Sequence, residues 1–235
     1  GLFIAVIIAS MVAYFLGSTA LSEQQAMQVA YIAGVNRIIL TIGMILFICF
    51  HIRKAFDNRE VEYILSHPIS RLAFIMSYFS GFAILGTLLT IPVALIIGLF
   101  FNVTTMALLL WSFSLVIEII IVSAFAILAS LILKSAFSSV LACFAFYLIA
   151  RMMGFAVANI EIAHVTASLR FDNVIELLLK IFSILMPRLD LFAKSKWLIY
   201  DNIDLASFII ILSQGAIYIP ILLLMSVYDF YRKQF

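Results

Sequence analysis

The sequence has few charged residues. Asp, Glu, Lys and Arg make up 11% of the 235 residues, whereas about 25% is usual in soluble proteins. Hydrophobic residues make up 66%, so too few polar side chains exist to coat the surface of a domain folded in water. This composition excludes a soluble globular enzyme, a disordered tail and a disulfide scaffold. Most of the chain is predicted to face lipid.

Residues that would indicate nucleic acid or metal binding are also scarce. The net charge is only +2, which excludes the concentrated basic face that a nucleic-acid partner requires. Cys49 and Cys143 lie inside apolar runs without metal-site spacing, and they are predicted to be small buried hydrophobic side chains. The three histidines, His51, His67 and His164, are far apart in sequence, so no metal site is predicted.

Catalytic motifs are absent from the sequence. It contains no Gly-x-x-x-x-Gly-Lys-Ser/Thr phosphate loop, no His-Glu-x-x-His helix and no Gly-x-Ser-x-Gly turn. The chain is therefore predicted not to be an ATPase through the phosphate-loop motif. An intramembrane enzyme is an alternative of another class, but it needs paired catalytic groups at one depth, and Glu118 is the one carboxylate deep in an apolar run.

Long apolar runs dominate the chain. A bilayer core about 30 Å thick is crossed by about 20 apolar helical residues. The sequence predicts an all-α membrane protein, a single transmembrane domain over residues 1–235, with six spans at about 1–20, 31–52, 72–101, 105–133, 136–158 and 205–228.

The connection 159–204 between the fifth and sixth spans is too long for a plain turn. Its apolar stretch 174–186 is too short to cross the bilayer and ends at Pro187, so it predicts a re-entrant or interfacial helix. Phe192, Trp197 and Tyr200 follow and are predicted to lie at the membrane interface.

Basic residues predict the orientation of the spans. Lys and Arg are enriched in short cytoplasmic loops of membrane proteins. With six spans, all the basic residues of the short connections and the C-terminus fall on one side, which predicts that both termini are cytoplasmic; these residues are Arg53, Lys54, Arg59, Arg71, Lys134, Arg232 and Lys233.

The cytoplasmic loop 53–71 contains a candidate amphipathic helix. Val61, Ile64 and Leu65 share one face at helical spacing, Asn58 is predicted to cap the helix, and Pro68 ends it. Such a helix either packs on lipid headgroups or docks in the groove of a cytoplasmic partner.

The run Leu65-Ser66-His67-Pro68-Ile69-Ser70-Arg71 resembles the signature region of ABC-2-type ATP-binding cassette transporter permeases. An acidic residue in the fourth span, here Glu118, and a Ser-rich turn before the fifth, here at 135–139, are similar to that family too. The resemblance covers residues 31–228.

The resemblance implies a non-catalytic permease subunit, with no cofactor of its own, in a bacterial inner membrane. This subunit would export a hydrophobic or amphipathic substrate. The resemblance also implies a second permease copy, identical or related, and separate cytoplasmic ATPase subunits that hold ATP and Mg. Segment 58–69 would be the coupling helix that contacts the ATPase, through Glu60, Glu62, Tyr63, His67 and Pro68. A haem-exporter B-type permease of cytochrome c maturation is the alternative of the same class, and a membrane scaffold is an alternative of another.

Three charged residues lie within the predicted spans. Charges at membrane depth are costly and usually face protein or water. Glu118 is expected to pair with Arg151, and Arg37 is the competing partner. Three interpretations stay open: an ion pair that fixes helix packing, a role in substrate passage, and arginines that reach the interface with their long side chains.

Overall fold

The computed structural model describes residues 1–20, 23–66, 69–166, 186–201 and 205–232. Within these ranges all regular secondary structure is helical, which confirms the all-α class. A 3-10 turn occupies Leu189–Leu191. The α-helices are α1 (Leu2–Ser18), α2 (Gln24–Asp57), α3 (Glu60–Leu65), α4 (Arg71–Phe100), α5 (Thr105–Ile132), α6 (Ala136–Thr166), α7 (Ser195–Tyr200) and α8 (Leu205–Arg232).

Five of the described helices are long and apolar enough to cross a membrane, namely α2, α4, α5, α6 and α8. The chain is therefore a multi-pass membrane protein. The first predicted span forms the shorter apolar helix α1, whose 17 residues extend about 25 Å at the usual rise per residue.

Three helices run past the predicted spans. α2 begins at Gln24 and ends at Asp57, α6 continues to Thr166, and α8 continues to Arg232. The extra turn of α2 contains the buried Gln28, which packs directly on Gly17 of α1. A polar helix end is thus stabilised by protein contact rather than by lipid. Residues 174–185 of the predicted re-entrant helix lie outside the described residues.

Helix α5 lies at the centre of the bundle. It packs against α2, α4, α6 and α8, and it is the most deeply buried of the five long helices. Phe125 of α5 stacks on Phe146 of α6 with ring centroids 3.9 Å apart. Ile119 lies directly against Gly86 of α4, because the missing side chain lets the two helices approach closely.

The two ends of the bundle differ. At one end, here called the α3 end, α3 packs between the last turns of α2 and α5 and the first turns of α4. At the opposite end, residues 186–201, here called the strap, fold back into the bundle and contact α2, α5 and α6. Phe192 and Trp197 of the strap are fully buried inside the protein, and their location at the membrane interface stays a prediction. Tyr200 is exposed.

Candidate functional site

The first candidate site is a buried polar cluster near the middle of α5. Glu118 has no exposed surface, and its Oε1 accepts a hydrogen bond from the Tyr147 hydroxyl at 3.1 Å. Arg151 Nη1 lies 3.8 Å from the same oxygen. Tyr147 and Arg151 are both on α6, one turn apart, so α6 presents a hydroxyl and a guanidinium to one carboxylate.

Arg151 connects this carboxylate to the strap. Its Nη1 donates to the backbone carbonyl of Leu189 and, at 3.2 Å, to that of Phe192. Irregular backbone at membrane depth is tolerated only where its polar groups are satisfied inside the protein. Arg151 therefore both neutralises Glu118 and satisfies two strap carbonyls.

A second arginine binds the strap from α2. Arg37 Nη1 donates to the Ala193 carbonyl at 3.1 Å, and Arg37 is close enough to Glu118 to act on it electrostatically. Arg37 lies about 20 Å along α2 from Gln24, so the strap reaches deep into the bundle. The sequence presents Arg37 and Arg151 as alternative partners for Glu118. In the structure Arg151 forms the ion pair, and both arginines donate hydrogen bonds to the strap.

Ala193 is the most strongly held residue of the strap. Its carbonyl also accepts from Trp111 Nε1 at 3.2 Å, and its N–H donates to Ser114 Oγ at 2.8 Å. Its backbone φ of 43° is in the left-handed region, which an alanine adopts only when its surroundings hold it there. The sequence reasoning missed Trp111 and Ser114, although a buried indole N–H generally requires an acceptor.

Arg188 at the start of the strap has one local contact and one with α8. Arg188 and Asp190 form an ion pair of 3.1 Å, and the Arg188 N–H donates to Gln214 of α8 at 3.0 Å. Burial lowers the pKa of Lys194, and the Lys196 ammonium beside it lowers that pKa further. The strap end is therefore rich in cations held close together.

The second candidate site is the surface of α3. Val61 is buried against α2, α4 and α5 and anchors the helix, whereas Glu60, Glu62 and Tyr63 are exposed. The predicted cap was wrong, because Asn58 ends α2 and the residue before α3 is Arg59, with φ of 58°. His67 and Pro68, also predicted to contact the ATPase, lie outside the described residues.

The two cysteines were predicted to be buried, and both are. They also meet, since Cys49 Sγ of α2 lies 3.9 Å from Cys143 Sγ of α6. Among the described residues, no group of three or more His, Cys, Asp or Glu side chains is arranged to hold a metal ion.

Comparisons with known proteins give no family for the chain. No model of a known protein family matches the sequence, and no curated protein matches it.

Proposed function

We propose that the chain is the transmembrane permease subunit of an ATP-binding cassette exporter in a bacterial inner membrane. In this proposal α1 is the first of six spans, both termini are cytoplasmic, and the α3 end faces the cytoplasm. Two permease copies work with separate ATPase subunits, which supply ATP and Mg. The substrate is hydrophobic or amphipathic.

One observation carries the proposal: α3 is fixed to the bundle on one side and exposed on the other. Val61 packs among side chains of α2, α4 and α5, while Glu60, Glu62 and Tyr63 project outward. A partner that pushes on the exposed face would move three spanning helices together, because the buried face is packed against all three. This is the mechanical task of a coupling helix, and the proposal assigns it to α3.

The test is purification of the tagged chain from its native membranes in a mild detergent, followed by subunit identification and an ATPase assay. We expect a phosphate-loop ATPase to co-purify with the chain. The double variant Glu60→Ala/Tyr63→Ala is expected to retain at most about one tenth of that ATPase, since truncating residues at the centre of an interface commonly weakens binding at least tenfold. The matched control is Glu23→Ala/Tyr200→Ala, which removes an exposed carboxylate and an exposed tyrosine at the opposite end.

Two outcomes would count against the proposal. A chain that purifies without any ATPase would favour a scaffold or an intramembrane enzyme instead. An ATPase that stays bound to the Glu60→Ala/Tyr63→Ala variant would show that α3 is not the coupling element.

A further inference from the structure

The strap end of the bundle contains a site that the chain fills with its own backbone. Three strap carbonyls, those of Leu189, Phe192 and Ala193, accept hydrogen bonds from Arg151, Arg37 and Trp111. All three donors come from the spanning helices α2, α5 and α6. If the strap moved aside, two guanidinium groups and an indole N–H would be left facing one space.

Among the residues that the structure describes, the charges of this site do not balance. Arg37 and Arg151 contribute two positive charges and Glu118 contributes one negative charge, which leaves a surplus of one positive charge. Of the other charged groups on the strap, Arg188 and Asp190 pair with each other, Lys194 and Lys196 are cationic, and Asp201 is anionic, so the strap adds a further net positive charge. A buried charge without a counter-charge is costly, so the neutral carbonyls of the strap are an incomplete partner for the two arginines.

Two hydrogen-bonding groups of the site also lack partners among the described residues. The Nε of Arg37 is buried and has no acceptor among the described residues. Glu118 Oε2 is also without a donor there. The open carboxylate oxygen alone would suit a cation, but the net positive charge of the cluster disfavours one and favours an anion.

We propose that the cluster of Arg37, Arg151 and Trp111 binds a single oxyanion, the carboxylate or phosphate group of an amphipathic molecule, in exchange for the strap carbonyls. Guanidinium groups bind such oxygens through paired, charge-assisted hydrogen bonds, which are stronger than their bonds to neutral carbonyls. The apolar part of the molecule would lie among the spanning helices. This inference deepens the proposed function by naming the substrate class, although the binding itself requires no ATPase.

The experiment measures binding to the full chain, purified alone in a non-ionic detergent, by displacement of a fluorescent fatty acid. The competitors are oleate, oleyl alcohol and inorganic phosphate. We expect oleate to compete at least about tenfold better than oleyl alcohol, because the two differ only in the charged group that forms the paired bonds. Phosphate competing as well as oleate would support an oxyanion site and assign it to a free anion rather than to a lipid headgroup.

Variants of the site are expected to shift the affinity for oleate in opposite directions, which a merely hydrophobic site would not show. Arg37→Gln is expected to weaken oleate binding about tenfold to a hundredfold, since it removes a charged donor. Glu118→Gln is expected to tighten oleate binding, because it removes the repelling charge. Ser114→Ala is also expected to tighten it, because the strap loses the acceptor for its Ala193 N–H while the charge of the site is unchanged.

Arg53→Gln is the control, because Arg53 pairs with Asp57 at the α3 end and is expected to leave binding unchanged. Equal competition by oleate and oleyl alcohol would overturn the proposal, as would the absence of fatty-acid binding. Arg37→Gln and Glu118→Gln shifting the affinity in the same direction would also overturn it. Should Arg37→Gln fail to fold, Glu118→Gln and Ser114→Ala decide the question. None of these outcomes depends on the ATPase, so the two proposals fail separately.

Discussion

Arg151 is the residue on which the polar cluster depends. It lies 3.8 Å from the fully buried Glu118 carboxylate, and the same Nη1 atom donates to two strap carbonyls. Removing it would leave a buried negative charge without its nearest cation and two carbonyls without that donor. Breaking a buried ion pair on one side is among the most destabilising single changes in proteins.

We therefore expect Arg151→Leu to lower the free energy of unfolding by roughly 3 kcal/mol. Arg151→Lys keeps the charge but loses the planar fork, so the loss should be smaller. Thermal unfolding in detergent, followed by the fluorescence of Trp111 and Trp197, measures both. The control is Arg53→Leu, which breaks the partly exposed Arg53–Asp57 pair and is expected to change stability by less than about 1 kcal/mol. Equal unfolding temperatures for Arg151→Leu and Arg53→Leu would contradict this reading.

At the scale of elements, α1 is attached to the bundle mainly through α2. The two helices are joined by a buried hydrogen bond of 2.8 Å, in which the Asn36 amide donates to Ser10 Oγ. Near the C-terminal end of α1, Gly17 lies so close to α2 that a Cβ there would come within 2.6 Å of the Gln28 Cα. The obstacle is backbone, which cannot rotate away as a side chain does, so a larger residue must push the helices apart.

Gly17→Ala is accordingly expected to destabilise the chain by about 1–3 kcal/mol, the usual cost of overpacking. Gly34→Ala is the matched control, because a Cβ at this helical position meets nothing within 4 Å. It should stabilise the chain by about 0.5–1 kcal/mol, since alanine loses less backbone freedom on folding. Both are measured by thermal unfolding in the same detergent. A Gly17→Ala protein that is as stable as the Gly34→Ala protein would show that α1 and α2 do not pack in this way.

For the whole molecule, the proposal fixes which end of the bundle faces the cytoplasm. Tyr63 on α3 and Tyr200 on α7 are exposed to a similar degree, 70% and 68%, at opposite ends. The two natural cysteines are buried between helices, so an impermeant maleimide is expected to leave them unmodified.

We expect Tyr200→Cys to be labelled on intact cells and Tyr63→Cys only after lysis. The physical reason is the positive-inside bias, which places the Lys- and Arg-containing short loops in the cytoplasm. The unsubstituted chain is the control and should stay unlabelled in both conditions. Labelling of Tyr63→Cys on intact cells would invert the orientation and remove the basis for a cytoplasmic coupling helix.

The sequence alone determined that most of the chain faces lipid, that the fold is all-α, and where most of the helices lie. It could do so because a segment that crosses lipid must be helical, apolar and about 20 residues long. It also singled out Glu118, Arg151 and Arg37, since charges inside apolar runs are rare enough to be noticed. The short helix near Val61 followed from periodicity within a few residues, although its cap did not, because Asn58 was used to end α2.

Only the tertiary structure decided what those charges contact. Ala193, Leu189 and Phe192 carry no sequence signal, since backbone carbonyls are the same at every position, yet they accept the hydrogen bonds of both arginines. The burial of Phe192 and Trp197 was equally beyond the sequence, because an aromatic residue suits a protein core and a membrane interface alike. Composition reports how much of a chain avoids water; which groups meet inside it depends on how distant segments pack, and no local pattern contains that information.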